Sequence, residues 1–149
     1  MRTALFLIGS LACAVALAQP PRDGDALYQA WGGKAGIQAV MTDFVPRLVA
    51  DPRTAPFFKA TNREHLVTQL TEQLCQESGG PCTYRGVPMK LAHQDLDISR
   101  RDFNALVEIL QQSMDARGIP FAAQNGMLAR LAPMHRDIVT PVSDSQQGR

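Results

Sequence analysis

Apolar positions recur along the chain every three or four residues, the period of helices with one buried face, and nowhere alternate as strands would. Ala26-Leu27-Tyr28-Gln29-Ala30-Trp31 predicts a short helical turn closed by Gly32-Gly33, because glycine accepts the left-handed backbone of a helix stop. Ile37, Val40, Met41, Phe44, Leu48 and Val49 then share one face of an amphipathic helix. Pro46 lies inside it, and its missing N–H is expected to kink the segment or shift its last turn. Asp51-Pro52 ends this helix, and Ala55-Pro56-Phe57-Phe58 makes a bulky apolar corner.

Asn62 is placed to cap the next helix, with Arg63, Glu64 and His65 in its first turn. Leu66, Leu70 and Leu74 follow at spacings of four, and Gly79-Gly80-Pro81 stops the segment. Residues 82–98 read as irregular or short-helical. Ser99 with Asp102 three residues on predicts a capped helix carrying Phe103, Leu106, Val107, Leu110 and Met114. It ends near Arg117-Gly118-Ile119-Pro120, before a last helix with Phe121, Met127, Leu128, Leu131 and Ile138. The expected architecture is all-α, a small sandwich of four main helices. Residues 140–149 form a polar tail expected to fray.

A chain of 149 residues fits one domain, and a 45% hydrophobic composition supports a real core. Basic and acidic residues balance, 15 against 14, without a block of either sign, so the sequence offers no electrostatic surface for nucleic acid. Residues 1–18 differ from the rest. Ala4 to Ala18 is a nearly unbroken apolar run ending in Ala16-Leu17-Ala18, a small-x-small pattern, followed by Gln19-Pro20-Pro21. A run of about 15 residues is short for a membrane span, where ~20 are needed, and matches a secretory signal. The reading is a signal peptide over 1–18, cleaved after Ala18, with an uncleaved anchor as the alternative. A polar lead over 19–25 follows, and no stable membrane span remains after cleavage. Export implies a periplasmic or secreted protein. Cys13 leaves with the signal, and the remaining Cys75 and Cys82 either form a disulfide in an oxidising compartment or stay separate thiols. Their spacing matches no zinc pattern.

Three histidines remain, and a lone histidine in a helical protein is more often a surface or core residue than a metal ligand. No Glu or His stands three or four residues from His65 or His135 to build a two-metal or zinc site. The chain has neither a nucleophile elbow nor a phosphate-binding loop, and neither Cys lies in a recognisable catalytic context.

Longer motifs carry more. Leu27-Tyr28-x-x-Trp31-Gly32-Gly33, Asp43-Phe44 and Ala50-Asp51-Pro52-x-x-Ala55-Pro56-Phe57-Phe58 resemble the opening of group I truncated haemoglobins. Gly79-Gly80-Pro81-x-x-Tyr84-x-Gly86-x-x-Met89-Lys90-x-x-His93-x-x-x-x-Ile98-x-x-x-Asp102-Phe103 is similar to that family's most specific signature. Gly118-Ile119-Pro120, Leu131-Ala132-Pro133 and Asp137-Ile138-Val139 extend the likeness over roughly residues 26–139.

The resemblance implies a truncated two-over-two globin sandwich over 26–139 that holds one b-type haem. His93 falls at the family's proximal histidine, the iron ligand, which leaves the opposite face open. Phe58 falls where the family packs a phenylalanine against the haem. Lys90, one turn before His93, either reaches a haem propionate or stays solvated, and Tyr84 and Met89 are assigned packing only. The family commonly places a hydrogen-bonding tyrosine where this chain has Val45, and glutamine is frequent on the helix where Leu66 and Leu70 stand. An apolar distal pocket is therefore expected, unless Gln69, Gln73 or His65 reaches in. Without a donor worth about 1.5–3 kcal/mol, oxygen binding would weaken roughly ten- to a hundredfold, tilting preference toward carbon monoxide and nitric oxide. Reversible binding of a diatomic gas is the leading reading. The alternatives are nitric oxide dioxygenation, which needs stabilised oxygen and a reductase, and a haem-sensing or haem-handling module.

Overall fold

A computed structural model describes residues 25–141. The segment expected to be a signal peptide, the rest of the expected lead and the end of the expected tail lie outside these residues. The first helix, α1 (Asp25–Ala30), takes in Asp25 from the expected lead. Gly32 and Gly33 then adopt left-handed φ of 76° and 65°, a backbone glycine reaches without steric cost. The reversal buries Trp31, whose indole N–H donates to the Ala123 carbonyl at 3.1 Å. Gly36 is needed beneath this turn: a Cβ there would lie 1.9 Å from the Trp31 carbonyl oxygen.

Helix α2 (Gly33–Ala50) runs unbroken through Pro46, where a kink or a shifted last turn was expected. Pro46 faces solvent, so the Thr42 carbonyl that loses its helical donor remains accessible to water. The opposite face buries Ile37, Val40, Met41, Phe44, Val45 and Leu48. A 3-10 turn (Ala55–Phe58) makes the aromatic corner before α3 (Arg63–Glu77). The Asn62 side chain accepts from the His65 N–H at 3.0 Å and caps α3 as expected. At the far end of α3 the Gly80 N–H donates to the Cys75 carbonyl at 2.8 Å, and Cys75 and Cys82 form a disulfide. Of the two readings left open for these cysteines, bonded and separate, the structure contains the first.

Short α4 (Met89–His93) interrupts the connection to α5 (Arg100–Ala116). Ser99 and Asp102 form a capping box at the start of α5: the Ser99 hydroxyl accepts from the Asp102 N–H, and the Asp102 carboxylate accepts from the Ser99 N–H. The expected last helix is divided. α6 (Phe121–Leu131) stops where Pro133 follows, a 3-10 turn covers Ala132–Met134, and α7 (His135–Ile138) resumes for one turn. Helix α2 packs chiefly on α3 and next on α5, while α6 closes on α1 and α3. One core cluster joins Trp31, Phe44, Leu74, Ile109, Met114 and Met127. Among the described residues no helix is long and apolar enough to cross a membrane. The four long helices, α2, α3, α5 and α6, are those the hydrophobic period predicts, and they form the two-over-two sandwich.

Candidate functional site

His93 closes α4, and its Nδ1 lies 2.7 Å from the carbonyl oxygen of Met89, four residues back. A carbonyl only accepts, so this contact assigns the proton to Nδ1 and leaves Nε2 with its lone pair. The chain then turns sharply. The Leu96 N–H donates to the His93 carbonyl at 3.1 Å, and Asp97 takes a left-handed φ of 48°, which aspartate tolerates better than most residues. The turn carries Leu96 and Ile98 back beside His93. Ile98 is pinned in place as its carbonyl accepts from the Thr140 N–H at 2.9 Å, past the end of α7.

These residues form one wall of an apolar cavity of about 90 Å³. Phe57 and Phe58 of the aromatic corner make a second wall, and Phe103 and Leu106 of α5 a third, with Ile138 of α7 beside them. The Phe103 ring packs edge-on against His135, ring centres 4.8 Å apart. Two polar side chains also reach this space, and both have internal partners. The Thr54 hydroxyl donates to the Leu48 carbonyl at 2.7 Å. The Asp102 carboxylate accepts from the Ser99 N–H at 3.0 Å and the Ser99 hydroxyl at 2.6 Å, and those bonds hold it below its ordinary pKa. The corner itself is tied to α5. Arg53 donates to Asp51 at 2.8 Å and to Glu108 at 2.6 Å, and its guanidinium lowers the Asp51 pKa.

The cavity brings His93 and Phe58 together. Val45 is fully buried in α2, while Leu66 and Leu70 lie half-buried on α3, with Leu70 packed against the core; none of the three lines this cavity. Lys90 is exposed on α4. On α3, Gln73 shares the face of Leu66 and Leu70 and is buried, its amide 3.3 Å from Met134 Sδ and 3.6 Å from Met89 Sδ. His65 is exposed and Gln69 half-buried. That face is therefore not wholly apolar. Thr54, Leu96 and Ile138 carried no signal as cavity residues, because each reaches the cavity through a turn that hydrophobic period does not encode. Met89 acts through its backbone, which side-chain type conceals, although its place four residues before His93 is the spacing of a helical carbonyl.

The donor set fits haem. One neutral imidazole nitrogen on an apolar wall beside an aromatic corner suits an iron whose remaining protein-independent ligands would come from a porphyrin. Among the described residues no group of three or more His, Cys, Asp or Glu gathers for a bare metal ion. Val87, Leu91 and Leu96 are exposed in the segment that carries His93, apolar surface of the kind a macrocycle larger than the cavity would cover.

Comparison with known proteins agrees. The family model for bacterial-like globins matches residues 26–140. The chain is 30% identical over 115 residues to "Group 1 truncated hemoglobin GlbN" of Mycolicibacterium paratuberculosis, covering 77% of this chain and 85% of that one. It is 31% identical over 99 residues to a group 1 truncated hemoglobin of Tetrahymena pyriformis, covering 66% of this chain and 82% of that one. The crystal structure of the truncated hemoglobin from Tetrahymena pyriformis, in its Fe(III) form, superposes with a TM-score of 0.74 at 28% identity, covering 77% of this chain and 98% of that one. The chain thus belongs to the bacterial-like globin family, as a group 1 truncated haemoglobin whose cofactor is haem.

Proposed function

We propose that His93 Nε2 holds the haem iron and that the protein reversibly binds a diatomic gas on the opposite face. The Nδ1 contact to the Met89 carbonyl carries this reading: it fixes the tautomer that leaves Nε2 free, and it aims the ring from a helix end. Haem held by this one imidazole would supply an iron able to take a gas as a further ligand.

The chain's own residues do the rest. Phe58 packs against the macrocycle, and Lys90, exposed one turn before His93, meets a propionate at the surface. Val45, Leu66 and Leu70 exclude water from the gas side, so a donor to the bound gas would have to come from further along the α3 stripe of Leu66 and Leu70, where Gln73 is buried. The Cys75–Cys82 disulfide supports export to an oxidising compartment.

The test is the absorption spectrum of the chain lacking residues 1–18, loaded with haem, reduced, and exposed to carbon monoxide. The expected result is a five-coordinate high-spin ferrous spectrum that converts fully with the gas. A six-coordinate low-spin ferrous spectrum unchanged by the gas would overturn the proposal.

A further inference from the structure

We infer that Gln73 is a hydrogen-bond donor to the haem unit, its acceptor being an electron-rich atom at one edge of the site. The inference rests on the haem reading above and adds a residue to it.

Gln73 is 6% exposed, and its carboxamide carries two N–H donors. The acceptors it meets are the sulfurs of Met134 at 3.3 Å and Met89 at 3.6 Å, and thioethers are weak acceptors. A desolvated amide in such company exchanges them for an oxygen acceptor at little cost, because amide–oxygen bonds are stronger than amide–sulfur ones.

Gln73 does not line the cavity beside His93, and the haem is inferred as its partner from the segments it joins. Gln73 stands on the same stripe of α3 as Leu66 and Leu70, one turn further along. It reaches Met89, whose carbonyl orients His93. The amide therefore bridges from α3 to the segment that carries the iron ligand. Gln69 lies on a neighbouring row of the helix, and His65 faces solvent. Two groups of the haem unit offer the required chemistry: a carboxylate on the porphyrin edge, and the outer atom of a gas on the iron.

Gln73→Leu and Gln73→Met remove the donor and keep the volume. Three quantities are read on the full chain for each: the C–O stretch of the carbon monoxide form, the rate of haem transfer to an excess of a haem-scavenging apoprotein, and the melting temperature of the haem-free chain. A C–O stretch that rises in both variants, with haem transfer unchanged, supports the inference with the gas as acceptor. Haem transfer about tenfold faster with the C–O stretch unchanged, and equalised when haem dimethyl ester replaces haem, supports it with the carboxylate as acceptor. In either case the haem-free variants melt no lower than the parent, since only thioether contacts are lost. Variants that match the parent in stretch and transfer would overturn the inference. So would a haem-free melting temperature that falls in step with haem retention, which marks plain packing. A parent chain that takes up no haem would overturn the functional reading itself, and this is measured before any variant.

Discussion

His93 Nδ1 lies 2.7 Å from the Met89 carbonyl oxygen, so the residue that begins α4 orients the residue that ends it. A five-residue helix has little stability of its own, and this one survives because its turn is closed at both ends. The Ala92 N–H donates to the Pro88 carbonyl at 3.0 Å, and the imidazole closes on Met89. The orientation of His93 is therefore a property of the α4 backbone.

That dependence is testable at Ala92, an exposed residue with no side-chain role in the site. Ala92→Pro removes the bond to Pro88 and forces a ring against its carbonyl, a cost of about 3 kcal/mol in a helix. Haem affinity is expected to fall about a hundredfold while the helical content of the rest persists. Ala92→Gly should cost at most about 1 kcal/mol. Equal haem retention in all three proteins, read by transfer to a scavenger, would contradict a backbone-set histidine.

The disulfide gives the second prediction. Cys75 is fully buried at the end of α3, and Cys82 opens the loop that leads to α4, with Cα atoms 5.7 Å apart. Closing so short a loop restricts the unfolded chain by about 2 kcal/mol. Cys82→Ser, or reduction, is expected to lower stability by that amount in denaturant titrations. The midpoint should move with little change in slope. A midpoint unaffected by reduction would contradict the assignment of this pair.

The third concerns acid. Ser99 donates to the Asp102 carboxylate from both backbone and hydroxyl, which lowers the Asp102 pKa from its ordinary value of 3.8. A carboxyl whose pKa is lower in the folded state stabilises that state above the unfolded value, and the contribution disappears as pH falls through the folded value. The capping box at α5 is thus intact at neutral pH and weakens below about pH 4. Ser99→Ala is expected to cost about 1 kcal/mol at pH 7 and progressively less in acid. Urea titrations of parent and variant at several pH values check this, and a difference that grows on acidification would contradict it.

The long helices were legible because their apolar faces repeat and their ends carry Asn62, Ser99 and paired glycines, signals of local chemistry. The place of His93 was legible through the motif around it, from Gly79 to Phe103. The cavity was not. It is assembled by turns: a left-handed Asp97, the Pro133 break that separates α7 from α6, and the corner at Phe57 and Phe58 that Arg53 ties to α5. Each depends on contacts between distant segments, which periodicity does not record. Pro46 shows the converse, since a strong local signal was absorbed on an exposed face of α2. The hydrophobic period does not single out Gln73, whose burial is a property of the α3 stripe and the two methionines that meet it.

The central claim is that His93 ligates the haem iron through Nε2, and a cavity-and-rescue experiment tests it most directly. His93→Gly leaves a space the size of an imidazole at the end of α4. The reduced, haem-loaded variant is predicted to lack the five-coordinate histidine spectrum of the parent and its iron–histidine stretch. Added imidazole should restore both, in proportion to its occupancy. A variant that keeps the parent spectrum without imidazole would contradict the assignment and place the iron ligand elsewhere.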